Sequence, residues 1–377
     1  MSAATSRERV FAALSLDGTD DFPVLLPYLG ILLRDHWAEI TNLPWWVELA
    51  GDIESRFQVA RDLLEATAID WTPGEMCAGR AWREEHRVGH EGGRVFLQNR
   101  VSGERREVHP EPPGGTQSFA KTPLITSIAD VDRLLPITPH TQLVAEGYLD
   151  YARRAVAALG SDHFIFASVG APFWCAFNYL TFEGLMTAVV ENSDLLGYLL
   201  ERLTAQQIES VRAYAAAGIH GVWVEDCYSS ADLISAEQFR RFALPYVARV
   251  IAEIKALGMH AVYYFCGDVH DRLTDLVAAG PSALSLEESK KGFRIDLAEV
   301  AEIVRGRCAL LGNLDAVGVL EQGDSETLRR ALAQQAAVGR KWPRFAFSLG
   351  SPVTALTPLS RVQEYVRTAR ELASSAA

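Results

Sequence analysis

Short apolar runs alternate with longer amphipathic stretches over the second half of the chain. Strands are predicted where the apolar runs occur, at residues 163–168, 220–224, 260–265, 283–286, 308–311 and 344–348. Helices are predicted in the stretches between and after them, at residues 182–217, 236–257 and 359–372. Nearly continuous apolar strands separated by helices are typical of a parallel sheet that is buried on both faces.

A further apolar run at residues 22–26 supplies a first strand, which brings the strand–helix units to about eight. That number favours a closed (β/α)8 TIM barrel over an open doubly wound sheet. Gly218 and Gly258 stand just before two of the strands, where they suit the C-caps of the preceding helices. We therefore predict an α/β protein with a single barrel domain over residues 1–377.

Residues 80–115 interrupt this alternation. Residues 88–90 and 95–101 are predicted as short strands on either side of Gly92 and Gly93, and a Pro- and Gly-rich stretch follows. This pattern predicts a β-hairpin with a polar tip. We interpret the segment as an N-terminal β-hairpin excursion on the barrel, which serves either as a lid over the site or as a contact with another subunit in a homodimer.

Composition restricts the class of partner and the compartment. The formal net charge is −12 and the pI is about 5.3, a balance that disfavours nucleic acid and anionic membranes. The chain has no apolar run of about 18 residues, and its polar start does not have the apolar segment of a secretory signal. The five cysteines show no scaffold spacing, as expected in a reducing cytosol. We therefore expect a cytoplasmic protein that acts on a small molecule.

Polar residues that follow the strands of such a barrel point into its active site. The candidates at these positions are Glu225, Asp226, Cys227, Cys266, Asp268, His270, Glu287, Lys290, Asn313 and Ser351. Thiolate, imidazole and carboxylate form the ligand set of zinc, so Cys266, Cys227, Glu225 and His270 are candidate metal ligands. The alternatives are a buried structural cysteine, a helix-capping or solvated His270, and a solvated charge cluster around Glu287.

Five motifs in a fixed order carry a family resemblance. They are RERVFAAL…DFPV, GAPFWCAFNYLTFEGLM, ADLISAEQFRRFALPY, GNLDAVGVLEQGD and SLGSP…TPL. Together they resemble the uroporphyrinogen decarboxylase superfamily, and within it the cobalamin-dependent methyltransferases. The resemblance implies a (β/α)8 barrel, in agreement with the strand count. We expect the substrate to contact Tyr28, Trp174, Asn178, Asp268 and Asn313.

The decarboxylase of this superfamily has an Arg-Gln-Ala-Gly-Arg run near its N-terminus, and residues 23–36 contain no counterpart. A polycarboxylate substrate needs several arginines for bidentate pairing, and only Arg34 lies nearby. The zinc methyltransferases of the superfamily use a His-x-Cys pair and a later Cys, which fall on Tyr264, Cys266 and Ser351. Two of the three zinc ligands that the resemblance implies are therefore replaced, although zinc held by the other candidates stays possible.

The replacements suggest a different methyl donor. A methyl ether needs its leaving oxygen protonated or bound to a Lewis acid, and the candidates for this role are Glu225, Asp226, Tyr264 and Glu287. We therefore hypothesise a methyltransferase that moves methyl from a small O-methyl donor to the Co(I) corrinoid of a corrinoid-binding partner protein. The alternatives are a lyase that binds a smaller carboxylic acid through Lys290 or Arg34, and a non-catalytic paralogue that binds a corrinoid or tetrapyrrole.

Overall fold

The structure is a computed structural model that describes residues 4–115, 121–290 and 292–374. The strands in this part of the chain are β1 (Trp71–Pro73), β2 (His86–Glu91), β3 (Arg94–Asn99), β4 (Arg105–Val108), β5 (Phe164–Gly170), β6 (Gly221–Asp226), β7 (His260–Phe265), β8 (Ala283–Leu286), β9 (Ala309–Leu311) and β10 (Phe345–Ala346). Seven of them form one parallel sheet in the order β1-β5-β6-β7-β8-β9-β10, and β2, β3 and β4 form a separate antiparallel sheet.

Helices cover the outside of the parallel sheet. The α-helices in the described residues are α1 (Ser6–Leu14), α2 (Leu29–Asp35), α3 (Trp37–Ile40), α4 (Ile53–Thr67), α5 (Arg80–Glu85), α6 (Ile128–Leu134), α7 (His140–Ala145), α8 (Asp150–Leu159), α9 (Pro172–Leu180), α10 (Phe182–Glu191), α11 (Ser193–Ala217), α12 (Ala236–Phe242), α13 (Leu244–Ala256), α14 (Leu273–Ala278), α15 (Leu297–Val304), α16 (Ser325–Lys341) and α17 (Leu359–Ser374). A short 3-10 helix (Trp45–Leu49) and a π-helix (Ala316–Glu321) complete the set.

The N-terminal apolar run closes the sheet into a barrel. The Leu25 N–H donates to the Phe347 carbonyl at 2.8 Å, beyond the end of β10. On the other side, the Asp70 N–H donates to the Val24 carbonyl at 3.0 Å, just before β1. This segment therefore takes the place of an eighth strand, although only Val24 forms a regular bridge. The predicted barrel is confirmed.

Two predicted helices are each divided in two. The region 182–217 breaks at Asn192, whose backbone is not helical, and gives α10 and α11. The region 236–257 breaks at Ala243, just before Pro245 in the first turn of α13. Proline cannot donate a backbone hydrogen bond, so it suits the start of a helix and not its interior. The prediction of two long helices was wrong at these points.

The predicted hairpin is confirmed, and a third strand extends it. β2 and β3 pair antiparallel across the turn at Gly92 and Gly93, and β4 pairs with the other edge of β3. The predicted second strand continued to residue 101, whereas β3 ends at Asn99. The prediction of one domain and the lid or subunit-contact role of this sheet stay predictions. None of the described helices is long and apolar enough to cross a membrane.

Candidate active site

A cavity of about 280 Å³ opens at the mouth of the barrel, beside the ends of β1, β5 and β6. Five aromatic rings line it: Tyr28, Trp71, Tyr151, Phe166 and Trp223. Side chains point to alternate faces along a strand, so residues two apart on β5 and β6 face the cavity together. Pockets that take small organic ligands are typically apolar and aromatic with a few placed polar groups. This cavity is therefore the candidate substrate site.

Glu225 and Asp226 end β6 and point to opposite faces of the sheet. Glu225 lines the cavity together with Trp223, two residues earlier. Asp226 is completely buried on the helix side, where Oδ2 accepts hydrogen bonds from Ser229 at 2.7 Å and Tyr263 at 3.0 Å. Because neighbouring strand residues alternate, the two carboxyl groups cannot both face a substrate. The structure thus gives Asp226 a packing role, and its predicted catalytic role has no support in this geometry.

Glu225 forms a hydrogen-bonded group with Tyr28 and Cys227. The Tyr28 hydroxyl donates to Glu225 Oε1 at 2.8 Å, and the Cys227 thiol lies 3.3 Å from the same oxygen. Burial raises the pKa of the Glu225 carboxyl, and burial raises the pKa of Tyr28 well above its ordinary value. Tyr28 therefore keeps its proton, and Glu225 holds one to a higher pH than an exposed carboxyl group.

Tyr28 adopts an unusual backbone conformation. Its φ of 54° lies in the left-handed region, directly before α2. Such a conformation is unfavourable for a residue with a bulky side chain, and strained residues of this kind concentrate at functional sites. The conformation places the Tyr28 ring edge-on against Tyr264, with 5.5 Å between the centroids, and Tyr264 stacks on Trp223 at 5.1 Å. Tyr28 is thus held in place both by its neighbours and by Glu225.

The two cysteines of the predicted metal site, Cys227 and Cys266, are in contact with each other. The pKa of Cys227 is raised well above its ordinary value, mainly by a hydrogen bond between the Cys227 and Cys266 side chains and secondly by burial. Cysteine binds metals as the thiolate. His270, the third predicted ligand, has a side chain that is 71% exposed and bonded to Asp268 at 2.7 Å. Within residues 4–115, 121–290 and 292–374, no group of three or more His, Cys, Asp or Glu side chains could hold a metal ion.

Lys290 lies beside Ser351, one of the positions at which the family resemblance implies a zinc ligand. The Ser351 hydroxyl donates to Glu288 Oε2 at 2.8 Å, and Lys290 Nζ donates to Ser351 Oγ at 2.7 Å. Lys290 also pairs with Glu287 Oε1 at 2.6 Å, and Tyr264 donates to the Gly350 carbonyl at 3.0 Å. The side chains present here are the Lys290 ammonium group, the Ser351 hydroxyl and the carboxyl groups of Glu287 and Glu288. They do not fit the zinc ligand set that the resemblance implies at these positions, and a metal held by Cys227, Cys266, Glu225 and His270 stays a prediction.

The remaining predicted residues are Glu287, Asn313, Trp174 and Asn178. Glu287 is buried, and its Oε2 accepts the Gly267 N–H at 2.9 Å. Asn313 supports the loop after β8 by donating to the Glu287 carbonyl at 3.1 Å. Trp174 packs on Phe177 within α9, and Asn178 is an exposed residue of the same helix. None of these predicted residues is among the residues that line the cavity, so their substrate contacts stay predictions.

The sequence reasoning missed one wall of the cavity. Glu75, Thr72 and Arg56 line it, and none of them was a candidate. Thr72 lies in β1 and Glu75 follows it, but this strand has only three residues and ends in Pro73. So short a run carries no alternation that would identify it as a strand. The available signal was Glu75, an acidic residue two positions after Trp-Thr-Pro, which follows a strand as the other candidates do.

Asp226 allows a prediction about stability. Burial raises its pKa from 3.8 to about 6. The folded state then holds a proton that the unfolded state releases, so stability falls as pH rises from about 4 to 6, by about 3 kcal/mol. Asp226→Asn, which resembles the protonated form, is expected to remove this loss. Chemical denaturation at both ends of this pH range measures the loss in the wild type, in Asp226→Asn and in the exposed control Asp20→Asn. An Asp226→Asn variant that is less stable than the wild type at neutral pH contradicts the prediction.

Comparisons with known proteins agree with this fold. The sequence profile of the Uroporphyrinogen decarboxylase (URO-D) family matches residues 75–372. The chain is 24% identical over 213 residues to the methylcobamide:CoM methyltransferase MtbA of Methanosarcina mazei, covering 56% of this chain and 59% of that protein. It is 28% identical over 203 residues to the uroporphyrinogen decarboxylase of Chlorobaculum parvum, covering 52% of this chain and 55% of that protein. The chain thus spans a little over half the length of these relatives.

A solved structure of a methyltransferase from Methanosarcina mazei superposes with a TM-score of 0.70 and 19% sequence identity, covering 98% of this chain and 99% of that one. At this identity the match shows the shared fold. The relatives that the chain resembles are enzymes, both methyltransferases and decarboxylases. The URO-D family profile covers most of the sequence and confirms the resemblance expected from the motifs. The chain belongs to the uroporphyrinogen decarboxylase (URO-D) family.

Proposed function

We propose that this protein transfers a methyl group from a small O-methyl donor to the Co(I) corrinoid of a partner protein. The observation that carries the proposal is the Tyr28–Glu225 pair on the wall of an aromatic cavity at the barrel mouth. At least three of the similar curated proteins are named methylcobamide:CoM methyltransferases, MtbA of two Methanosarcina species and MtaA of Methanosarcina barkeri, the last 25% identical over 208 residues and covering 55% of this chain and 58% of that protein. Their names support methyl transfer as the reaction proposed for this chain.

Cleaving a methyl ether leaves both bonding electrons on the donor oxygen. The methyl carbon passes to the acceptor, and the oxygen needs a proton to leave as a hydroxyl group. Glu225 is placed to supply this proton, because burial raises its pKa. Its Oε1 already accepts hydrogen bonds from Tyr28 and Cys227, so Oε2 is the oxygen that carries the proton.

Tyr28 acts on Glu225 and not on the donor. Its hydroxyl fixes the carboxyl group in one orientation, and its ring forms part of the cavity wall. The aromatic walls exclude water, which strengthens a hydrogen bond between Glu225 and an ether oxygen. The methyl group then faces the open end of the barrel, which serves as the docking surface for the corrinoid domain of the partner.

The competing functions receive less support from the geometry. A lyase that acts on a smaller carboxylic acid needs a free cation to bind the carboxylate. Lys290 is already paired with Glu287, and Arg34 pairs with Asp35 at 2.7 Å and donates to the Gly115 carbonyl at 2.9 Å. A binding protein without catalysis would form no methyl-cobalt, so a test of the reaction separates it from the proposed enzyme.

The reaction can be followed from the visible spectrum of the cobalt centre. The protein is mixed with a Co(I) corrinoid protein and a panel of methyl donors: methyl ethers, methylated amines and methanol. We expect methyl-cobalt to form from a methyl ether and only in the presence of this protein. Release of CO₂ from a small carboxylic acid, without corrinoid and with no methyl-cobalt from any donor, would overturn the proposal in favour of the lyase.

A further inference from the structure

Cys227 and Cys266 lie opposite each other, just beyond the ends of two neighbouring strands. In the register of β6 and β7, Glu225 stands opposite Tyr264. The Cys266 N–H donates to the Asp226 carbonyl at 2.9 Å, so the same register continues to Cys227 and Cys266. Residues two apart on a strand face the same side. Both thiols therefore point to the side of the sheet that Glu225 and Tyr264 occupy.

This arrangement meets the geometric requirements of a disulfide bond. Neighbouring strands are about 4.8 Å apart, which lies within the range of about 4.4 to 6.8 Å between the Cα atoms of disulfide-bonded cysteines. A hydrogen bond joins the Cys227 and Cys266 side chains, so their sulfur atoms are neighbours. Both residues are partly exposed, and a small oxidant can therefore reach them.

A change in this pair of cysteines reaches Glu225 directly. The Cys227 thiol donates to Glu225 Oε1 at 3.3 Å, and the Tyr28 hydroxyl donates to the same oxygen at 2.8 Å. A disulfide has no S–H group, so its formation removes the first of these two donors. The Glu225 carboxyl group then retains the hydrogen bond from Tyr28 and is held less firmly.

The other three cysteines of the chain lie in different surroundings. Cys77 bonds to two backbone carbonyl groups, each at 3.4 Å. Cys175 accepts a hydrogen bond from Gln207 at 3.5 Å, and Cys308 is buried in the core. These three thiols therefore serve as internal references for the selectivity of any oxidation.

We propose that Cys227 and Cys266 form a reversible dithiol–disulfide pair whose state controls the hydrogen bonding of Glu225. The oxidant is a small-molecule disulfide. One thiol of the pair attacks a sulfur of this compound, forms a mixed disulfide and releases one small thiol. The other thiol of the pair then attacks the protein sulfur of the mixed disulfide and releases the second small thiol. Two hydrogen atoms thus pass from the protein to the small disulfide.

The inference rests on the proposed function only for the catalytic role of Glu225. Disulfides that form and break under physiological conditions are typical of catalytic or redox-sensing sites. A disulfide beside the proposed general acid would make the site sensitive to oxidants, and a small thiol in excess would restore it.

The disulfide is detected by peptide mapping. The full chain is incubated with oxidised glutathione, alkylated, digested with trypsin without reductant and analysed by mass spectrometry. We expect a cross-link between the tryptic peptides 213–240 and 256–272, which contain Cys227 and Cys266, and its loss after treatment with dithiothreitol. Mixed disulfides with glutathione that persist without a cross-link would overturn the inference. So would two thiols that a bound metal ion protects from the oxidant.

Substitutions test whether the cross-link is specific. Cys227→Ser and Cys266→Ser are each expected to abolish it and to leave the remaining cysteine as a mixed disulfide with glutathione. Cys77→Ser is the matched control and is expected to give the wild-type cross-link. Equal amounts of cross-links that involve Cys77 or Cys308 would come from unfolded protein and would contradict the inference.

The effect on Glu225 is measured by difference infrared spectroscopy of the oxidised and reduced protein, at a pH at which this carboxyl group is protonated. Loss of the hydrogen bond from Cys227 is expected to move the C=O stretching band of the carboxyl group to higher wavenumber. This shift is expected to disappear in Glu225→Gln and to remain in Asp226→Asn, the control for the neighbouring carboxyl group. The same difference spectrum in the wild type and in Glu225→Gln would contradict the inference.

These measurements use no corrinoid, so they distinguish this inference from the proposed function. If the cross-link and the band shift appear and no donor yields methyl-cobalt, the cysteine pair stands and the proposed reaction fails. If methyl-cobalt forms and no cross-link appears, the reaction stands and the cysteine pair fails.

Discussion

Glu225→Gln is expected to lower the rate of methyl transfer by about 10² to 10⁴-fold, the usual contribution of a general acid. The substitution keeps the size of the side chain and an oxygen that can accept the Tyr28 hydrogen bond. It removes the proton that the leaving oxygen requires. Donor affinity is expected to change little, because the cavity walls are unaltered. Single-turnover formation of methyl-cobalt gives the rate, and calorimetry gives the affinity.

The pH dependence of this rate provides a second measurement. A general acid acts in its protonated form, so the rate falls as pH rises through its pKa. Burial raises the pKa of Glu225, which moves this fall above the range of exposed carboxyl groups. In Glu225→Gln the fall is expected to disappear. A variant that is slow and keeps the wild-type pH profile would show that another group supplies the proton.

Two further variants serve as controls. Asp226→Asn changes the neighbouring carboxyl group in the same way, but its side chain faces the helix layer, so a rate close to that of the wild type is expected. Tyr28→Phe keeps the ring and removes the hydrogen bond to Glu225. It is expected to lower the rate less than Glu225→Gln does, and to shift the pH profile without abolishing it. A full rate in Glu225→Gln contradicts the assigned role.

The sequence predicted the barrel well where strands are long and apolar. The bounds of β7 and β8 agree with the apolar runs at 260–265 and 283–286, because a strand buried on both faces needs an unbroken apolar run. The sequence did not reveal the short strand β1. β1 contains three residues and ends in proline, so neither the strand nor Glu75 after it could be identified from periodicity.

The sequence placed candidate site residues at the strand ends but could not orient their side chains. Glu225 and Asp226 were equivalent candidates because the predicted strand ended at residue 224. In the structure β6 continues to Asp226, and the alternation of the strand directs only Glu225 into the cavity. The same limit applies to His270, which is close to Cys266 in sequence but faces solvent. Pairing partners decide orientation, and they come from distant parts of the chain.

Asp70→Ala is expected to destabilise the protein by about 3 to 5 kcal/mol, the usual cost of removing one partner from a buried ion pair. The Asp70 side chain is completely buried. Its Oδ1 pairs with Arg9 of α1 at 2.6 Å and with Arg370 of α17 at 3.1 Å, and Oδ2 accepts the Val24 N–H at 2.7 Å. Alanine would leave two guanidinium groups and one backbone donor without this partner.

The position of Asp70 in the fold explains why this loss is large. The barrel closes through the segment around Val24, which forms only one regular bridge, with Phe347. Closure on the β1 side depends on the Asp70 N–H and carboxyl group, both of which bond to Val24. The same carboxyl group ties the first and last helices to this junction. Asp70→Asn keeps one acceptor oxygen and is expected to cost less than Asp70→Ala. Chemical denaturation compares both with the exposed Asp20→Ala, and a loss below about 1 kcal/mol for Asp70→Ala would contradict a closing role.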